Sequence, residues 1–162
     1  MGRLKFRAVI TLKLAERYFT DEQRLFMTEN PSPDYLDEPN LKVKWHRLRK
    51  HLKQKEVADT LEASITTYMD YENDGTVTLT PCQYDKLAEL FDTPVEKLLD
   101  GYNRFLYLGQ REQLKNYRKQ HRLTQKELAE RLSIQTQRLK RWEQGKNRMS
   151  KEWWEKLFLT DC

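Results

Sequence analysis

The chain has 162 residues, room for one ordinary domain or two small ones. Charged residues make up 34% of it, against about 25% in a typical soluble domain, and apolar residues only 38%, which implies a thin or divided core. No apolar run approaches the ~20 residues of a membrane span or suits a signal peptide, and Cys82 and Cys162 make neither a disulfide framework nor a zinc site. The expectation is a soluble, cytoplasmic protein without membrane, metal or cofactor.

The net charge of +5 is unevenly placed. Residues 1–40 carry 6 Lys+Arg against 7 Asp+Glu, and residues 41–75 carry 7 against 6, with all seven bases between Lys42 and Lys55. Residues 76–108 carry 3 against 5, and residues 109–162 carry 14 against 7. Two concentrated basic stretches separated by neutral or acidic chain point to two contacts with a polyanion.

Taken in order, Phe6, Ala8, Ile10, Leu12 and Leu14 alternate with mostly polar residues and predict a strand; Thr20-Asp21-Glu22-Gln23 then predicts a capped helix. Asn30–Asp34 and Glu38-Pro39-Asn40 read as loop and set a boundary before residue 41. From there the chain repeats with a period of 71. Nine identities fall between residues 44 and 72 and their partners, among them Arg47/Arg118, Gln54/Gln125, Ala58/Ala129 and Glu72/Glu143. A duplication explains that number better than chance. It divides the chain into an extension (1–40), a first unit (41–108) and a second unit (109–162).

Each unit reads as a series of short helices. In the second, Leu114, Tyr117 and His121 share a helical face that ends at Arg122-Leu123. Thr124-Gln125-Lys126-Glu127 is a capping box, and Leu128, Ala129 and Leu132 give the apolar spacing of the helix it opens. After a turn at Ser133-Ile134, a third helix carries Leu139 and Trp142 inward and stops at Gly145. The first unit repeats this, ending its third helix at Asp74-Gly75; Thr80-Pro81-Cys82-Gln83 opens another helix to about Phe91, and Val95–Leu99 is a further short one. Thr76–Leu79 and Phe105–Leu108 read as short β segments. The expected fold is mainly α, two helix-turn-helix units in one chain (an internal pseudo-dimer) with a few short β segments.

Gln125–Leu132, a turn, and Gln135–Lys146 resemble the helix-turn-helix of the Cro/repressor (XRE) family, in which the second helix enters the major groove and the first crosses the backbone. The resemblance covers roughly residues 111–158 and, less closely, 41–99. Ser133 and Glu62-Ala63 stand where the family favours glycine in the turn. By position, the resemblance implies that Gln125 meets a DNA phosphate. It also implies that Gln135, Thr136, Gln137 and Arg141 meet base edges and that Lys140, Gln144, Lys146 and Arg148 touch phosphates. The matching residues of the first unit are Gln54, Ser64, Ile65, Thr66 and Asp70. Asp70 in place of Arg141 makes the second unit the stronger reader, while the basic run, Lys53 and Lys55 included, favours a phosphate contact. Arg47 with Glu72, and Arg118 with Glu143, stand where the family makes an internal ion pair. Of Trp153 and Trp154, one is expected in the core and the other at a partner surface.

These readings converge on a sequence-specific double-stranded DNA-binding protein, not an enzyme, with no small-molecule substrate evident. Two heads in one chain would read an asymmetric site, acting as a monomer and as a repressor of transcription. The two-headed layout also resembles the conjugative-transfer DNA-binding proteins of the TraN type, which implies a plasmid or other mobile element. The alternative is an interaction module, antitoxin-like or part of a transfer complex, in which only the second unit reads DNA and Asp70, Glu72 and Asp74 mark a protein-binding first unit.

Overall fold

A computed structural model describes residues 19–75 and 77–159. The strand expected over Phe6–Leu14 lies outside the described residues. Those residues form two compact units, the first ending at Leu98 and the second beginning at Leu99. Regular structure among them is helical throughout, and no helix is long and apolar enough to cross a membrane.

The first unit opens with α1 (Asp21–Glu29), capped as its sequence predicts: Gln23 N–H donates to Thr20 Oγ1 at 3.2 Å and Thr20 N–H to Gln23 Oε1 at 3.2 Å. A 3₁₀ turn (Pro33–Tyr35) leads to α2 (Pro39–Arg49), which begins inside a segment expected to be loop. Proline's fixed φ suits the first helical position, where no amide donor is needed. Asn40 follows it into the core, its Nδ2 donating to Glu72 O at 3.2 Å. Next come α3 (Gln54–Thr60) and α4 (Ile65–Asp74), which stops at Gly75 with φ of 62°. After Thr80, α5 runs Pro81–Phe91, and a 3₁₀ turn at Val95–Lys97 stands for the last expected helix. Val43, Leu48, Val57, Leu61, Tyr68 and Leu87 lie at the centre, each at most 2% exposed.

The second unit consists of α6 (Gly101–Tyr107), α7 (Gln110–Gln120), α8 (Gln125–Arg131), α9 (Thr136–Glu143) and α10 (Lys151–Phe158). Its first helix corrects the β reading of Phe105–Leu108. Asp100 caps it, accepting from Asn103 N–H at 2.6 Å, and Tyr102 and Phe105 bury one face, so packing overrides the β preference of an aromatic run. Likewise Val77–Leu79 forms no strand and has no partner strand among the described residues, where it leads to the Thr80 cap of α5. Gly101 is required by proximity: a Cβ there would stand 2.7 Å from Trp154 Cη2. Trp153 and Trp154 are both half-buried, the first against Trp142 and the second against Tyr102 and Phe158.

Turns without glycine join α2 to α3, α3 to α4, α7 to α8 and α8 to α9. His51, Glu62, Arg122 and Ser133 all take φ between 53° and 57°, and the first two stand 71 residues before the last two. In each case the next amide donates back to the sixth carbonyl: Leu52 to Arg47 (3.0 Å), Ala63 to Ala58 (3.0 Å), Leu123 to Arg118 (2.8 Å) and Ile134 to Ala129 (2.9 Å). This closure satisfies the helix-end carbonyls and sets the angle of the following helix even where a side chain makes the left-handed conformation costly.

His46 gives the first unit a pH dependence. It stacks on Phe91 with ring centroids 5.6 Å apart, meets the edge of Trp45, and its Nε2 has no hydrogen-bond partner among the described residues. Burial foremost, with the Lys50 charge beside it and Asp34 opposing, holds its pKa below 6.5. The folded state therefore binds protons less readily than the unfolded chain, so stability present above about pH 6.5 falls as the pH drops below it. Thermal unfolding at neutral pH and at about pH 5.5 will show the loss, and His46→Phe will reduce it.

Candidate nucleic-acid interface

In the second unit the capping box closes as its sequence predicts. Glu127 N–H donates to Thr124 Oγ1 at 3.2 Å and Thr124 N–H to Glu127 Oε2 at 2.6 Å, which draws the Glu127 pKa down. Ala129, 1% exposed, lets α9 approach α8 closely, and Leu128, Leu132, Leu139 and Trp142 fill the angle between them. At about 100° per residue, Leu139, Trp142 and Glu143 turn inward, which leaves Gln137, Lys140, Arg141 and Gln144 on the opposite, exposed face. Gln135 is exposed at the N-cap, Thr136 is half-buried beside it, and Lys146 and Arg148 are exposed beyond the helix end.

A carboxylate fixes that helix to the rest of the unit. Arg118 donates through Nε to Glu143 Oε1 at 2.6 Å and through a terminal nitrogen to Oε2 at 3.1 Å, and its other terminal nitrogen donates to Leu123 O at 3.1 Å. Gln125 Nε2 donates to Glu143 Oε2 at 2.7 Å. Burial alone would raise the Glu143 pKa; the hydrogen bonds from Arg118 and Gln125 outweigh it and hold the group below 4.5. Thus α7, the start of α8 and the end of α9 converge on one carboxylate, which orients the exposed face of α9.

Beside this junction lies an open cleft of about 570 Å³ lined by Arg118, Arg122, Leu123, Thr124, Gln125, Lys126, Thr136 and Lys140. Four of these eight are cationic, so the cleft suits an anion. Arg122 and Lys126 were not singled out from the sequence, although Lys126 aligns with Lys55 in the repeat and the signal was there. Arg138 was also missed. Its guanidinium lies 5.1 Å from the Trp142 ring and 5.0 Å from that of Trp153, a cation–π clamp foreshadowed by the i, i+4 spacing of Arg138 and Trp142.

The first unit repeats the junction atom for atom. Arg47 donates through Nε to Glu72 Oε2 at 2.7 Å and through a terminal nitrogen to Oε1 at 2.6 Å, and also to Leu52 O at 2.9 Å. Gln54 Nε2 donates to Glu72 Oε1 at 3.0 Å. Burial here works against the Arg47 charge, and the Glu72 carboxylate more than offsets it. Glu72 is 1% exposed, so it is absent from the surface where Asp70 and Asp74 stand exposed.

Ser64 caps α4, its hydroxyl accepting from Thr67 N–H at 3.0 Å, and Ile65, Thr66, Met69 and Asp70 are exposed. The basic run is partly spent: Arg47 is buried, Lys44 lies 4.9 Å from the Phe26 ring and Lys55 pairs with Asp59 at 3.0 Å. Arg49, Lys50 and Lys53 remain exposed around the α2–α3 turn.

Compared with known families, residues 111–158 match the model of a helix-turn-helix domain. No curated protein and no solved structure matches the chain. The match takes in α7 to α10 and supports DNA as the partner of this protein.

Proposed function

We propose that this protein is a sequence-specific double-stranded DNA-binding regulator of transcription, non-enzymatic, with two helix-turn-helix heads in one chain. The observation that carries the reading is the exposed face of α9, on which Gln137, Lys140, Arg141 and Gln144 stand opposite the core within the matched domain. Placed in a major groove, that face offers Gln135, Thr136, Gln137 and Arg141 to base edges; amides suit adenine and a guanidinium suits guanine. Lys140, Gln144, Lys146 and Arg148 meet the flanking phosphates, and the basic cleft takes the backbone at the start of α8. Gln125 contributes there because its amide nitrogen has two hydrogens, one bound to Glu143 and the other available to a phosphate oxygen. Gln54 has the same arrangement with Glu72.

The repeated Arg–Glu–Gln junction supports the first unit as the second head. Its grip on the backbone comes from Lys53 with Arg49 and Lys50, and less from Lys55, which Asp59 engages. One chain then covers two successive major grooves as a monomer and represses by occluding a promoter. The two-headed layout supports a setting on a plasmid or other mobile element.

Footprinting on a duplex selected by the protein tests the arrangement. Protection over about two helical turns supports two heads. Protection of a single groove, abolished by changes in α9 only, favours the second reading, an accessory protein whose first unit binds protein. The lack of any Lys or Arg in α4 is the observation on that side.

A further inference from the structure

The two units present the same scaffold with opposite chemistry. At about 100° per residue, Thr66, Met69, Asp70 and Asn73 occupy on α4 the face that Gln137, Lys140, Arg141 and Gln144 occupy on α9. Where the second unit offers an amide and two cations at Gln137, Lys140 and Arg141, the first offers a methyl-bearing hydroxyl, a thioether and a carboxylate at Thr66, Met69 and Asp70, while Asn73 keeps the amide of Gln144. Ile65 and Met69 are 41% and 40% exposed, one turn apart, and Thr66 adds a third methyl-bearing side chain. Asp70 is exposed beside them, and the helix carries no cation.

In the major groove, donors read the N7 and O6 acceptors of purines. Methyl groups read the thymine C5-methyl, and a carboxylate reads the exocyclic amino group of cytosine. Neutral or acidic side chains on a groove-reading helix are tolerated when the phosphate grip lies elsewhere, and here Arg49, Lys50 and Lys53 supply it from the α2–α3 turn.

We propose that the first unit reads a thymine-containing half-site through Ile65, Thr66 and Met69, with Asp70 accepting from a cytosine amino group, while the second reads purine edges. This rests on both units being DNA heads. It explains why one duplicated scaffold keeps its buried junction while its exposed residues invert.

The test uses the full chain and its selected duplex, with thymines of one half-site at a time replaced by uracil, which keeps the pairing and removes only the methyl. Each uracil in the first half-site that faces α4 is expected to weaken binding about fourfold, the effect of returning one methyl-sized contact to water. The Ile65→Ala/Thr66→Ser/Met69→Ala variant, shortened only at exposed positions, is expected to lose most of the difference between the thymine and uracil duplexes. A two-groove footprint with no response to uracil overturns the proposal and leaves the two-headed reading standing. A one-groove footprint overturns both and turns the apolar, acidic face of α4 over to a protein partner.

Discussion

Glu72→Ala is expected to destabilise the first unit by about 3–5 kcal/mol, a large share of the ~5–15 kcal/mol that holds a typical domain folded. The reason is burial. The Arg47 and Glu72 side chains are 4% and 1% exposed, and the carboxylate accepts from two guanidinium nitrogens and from Gln54. Removing it strands a cation where water cannot reach it and leaves an amide donor without its acceptor. Denaturant unfolding followed by tryptophan fluorescence will measure the loss. The paired change Arg47→Met/Glu72→Leu is expected to recover most of it, since two apolar side chains leave no charge to strand. Glu143→Ala will cost less, because Arg118 is 20% exposed and water can solvate the abandoned guanidinium. Because the folded Glu143 has a lowered pKa, the stability its junction contributes is full above about pH 4.5 and is lost as the pH falls through the folded value.

Arg141→Ala is expected to weaken binding to the selected duplex by about 1–3 kcal/mol, or about 5- to 150-fold, and to relax discrimination at one base pair. Arg141 lies on the exposed face of α9, so its removal should leave unfolding stability within about 0.5 kcal/mol of the parent. A change that lowers affinity without touching stability separates a groove contact from a folding role. Lys140→Ala should act differently, weakening all sequences alike and reducing the salt dependence by about one phosphate contact.

Much of this was legible in the residues because it is locally encoded. Thr20, Thr80 and Thr124 each announce a helix start through a capping box whose partner lies three residues on, and each helix begins there. Gly75 and Gly145 likewise mark helix ends by the left-handed conformation they adopt. The departures occur where long-range packing decides. Phe105–Leu108 is β-prone in isolation, yet Phe105–Tyr107 is helical because Tyr102 and Phe105 find a core formed with Leu114, Leu128 and Leu157. Pro39-Asn40 reads as loop until Glu72, more than thirty residues away, supplies a carbonyl for Asn40. At the interface, the family resemblance pointed to Gln125, to the outward residues of Gln135–Arg141 and to the internal Arg47–Glu72 and Arg118–Glu143 pairs, but nothing in the composition assigned Arg138 to the tryptophans. The basic run Lys42–Lys55 shows the same limit. Seven like charges read as one patch, whereas Arg47, Lys44 and Lys55 are each engaged by a partner that only folding brings close or turns toward it.

The proposed recognition of DNA rests on the exposed face of α9. Selection from randomised duplex DNA, repeated with Arg141→Ala, tests this most directly. The prediction is a single enriched asymmetric site whose binding falls steeply with salt, and whose enrichment is lost at the base pair that Arg141 contacts when the arginine is removed. Recovery of the starting pool without enrichment, or an identical site selected by Arg141→Ala, would contradict it.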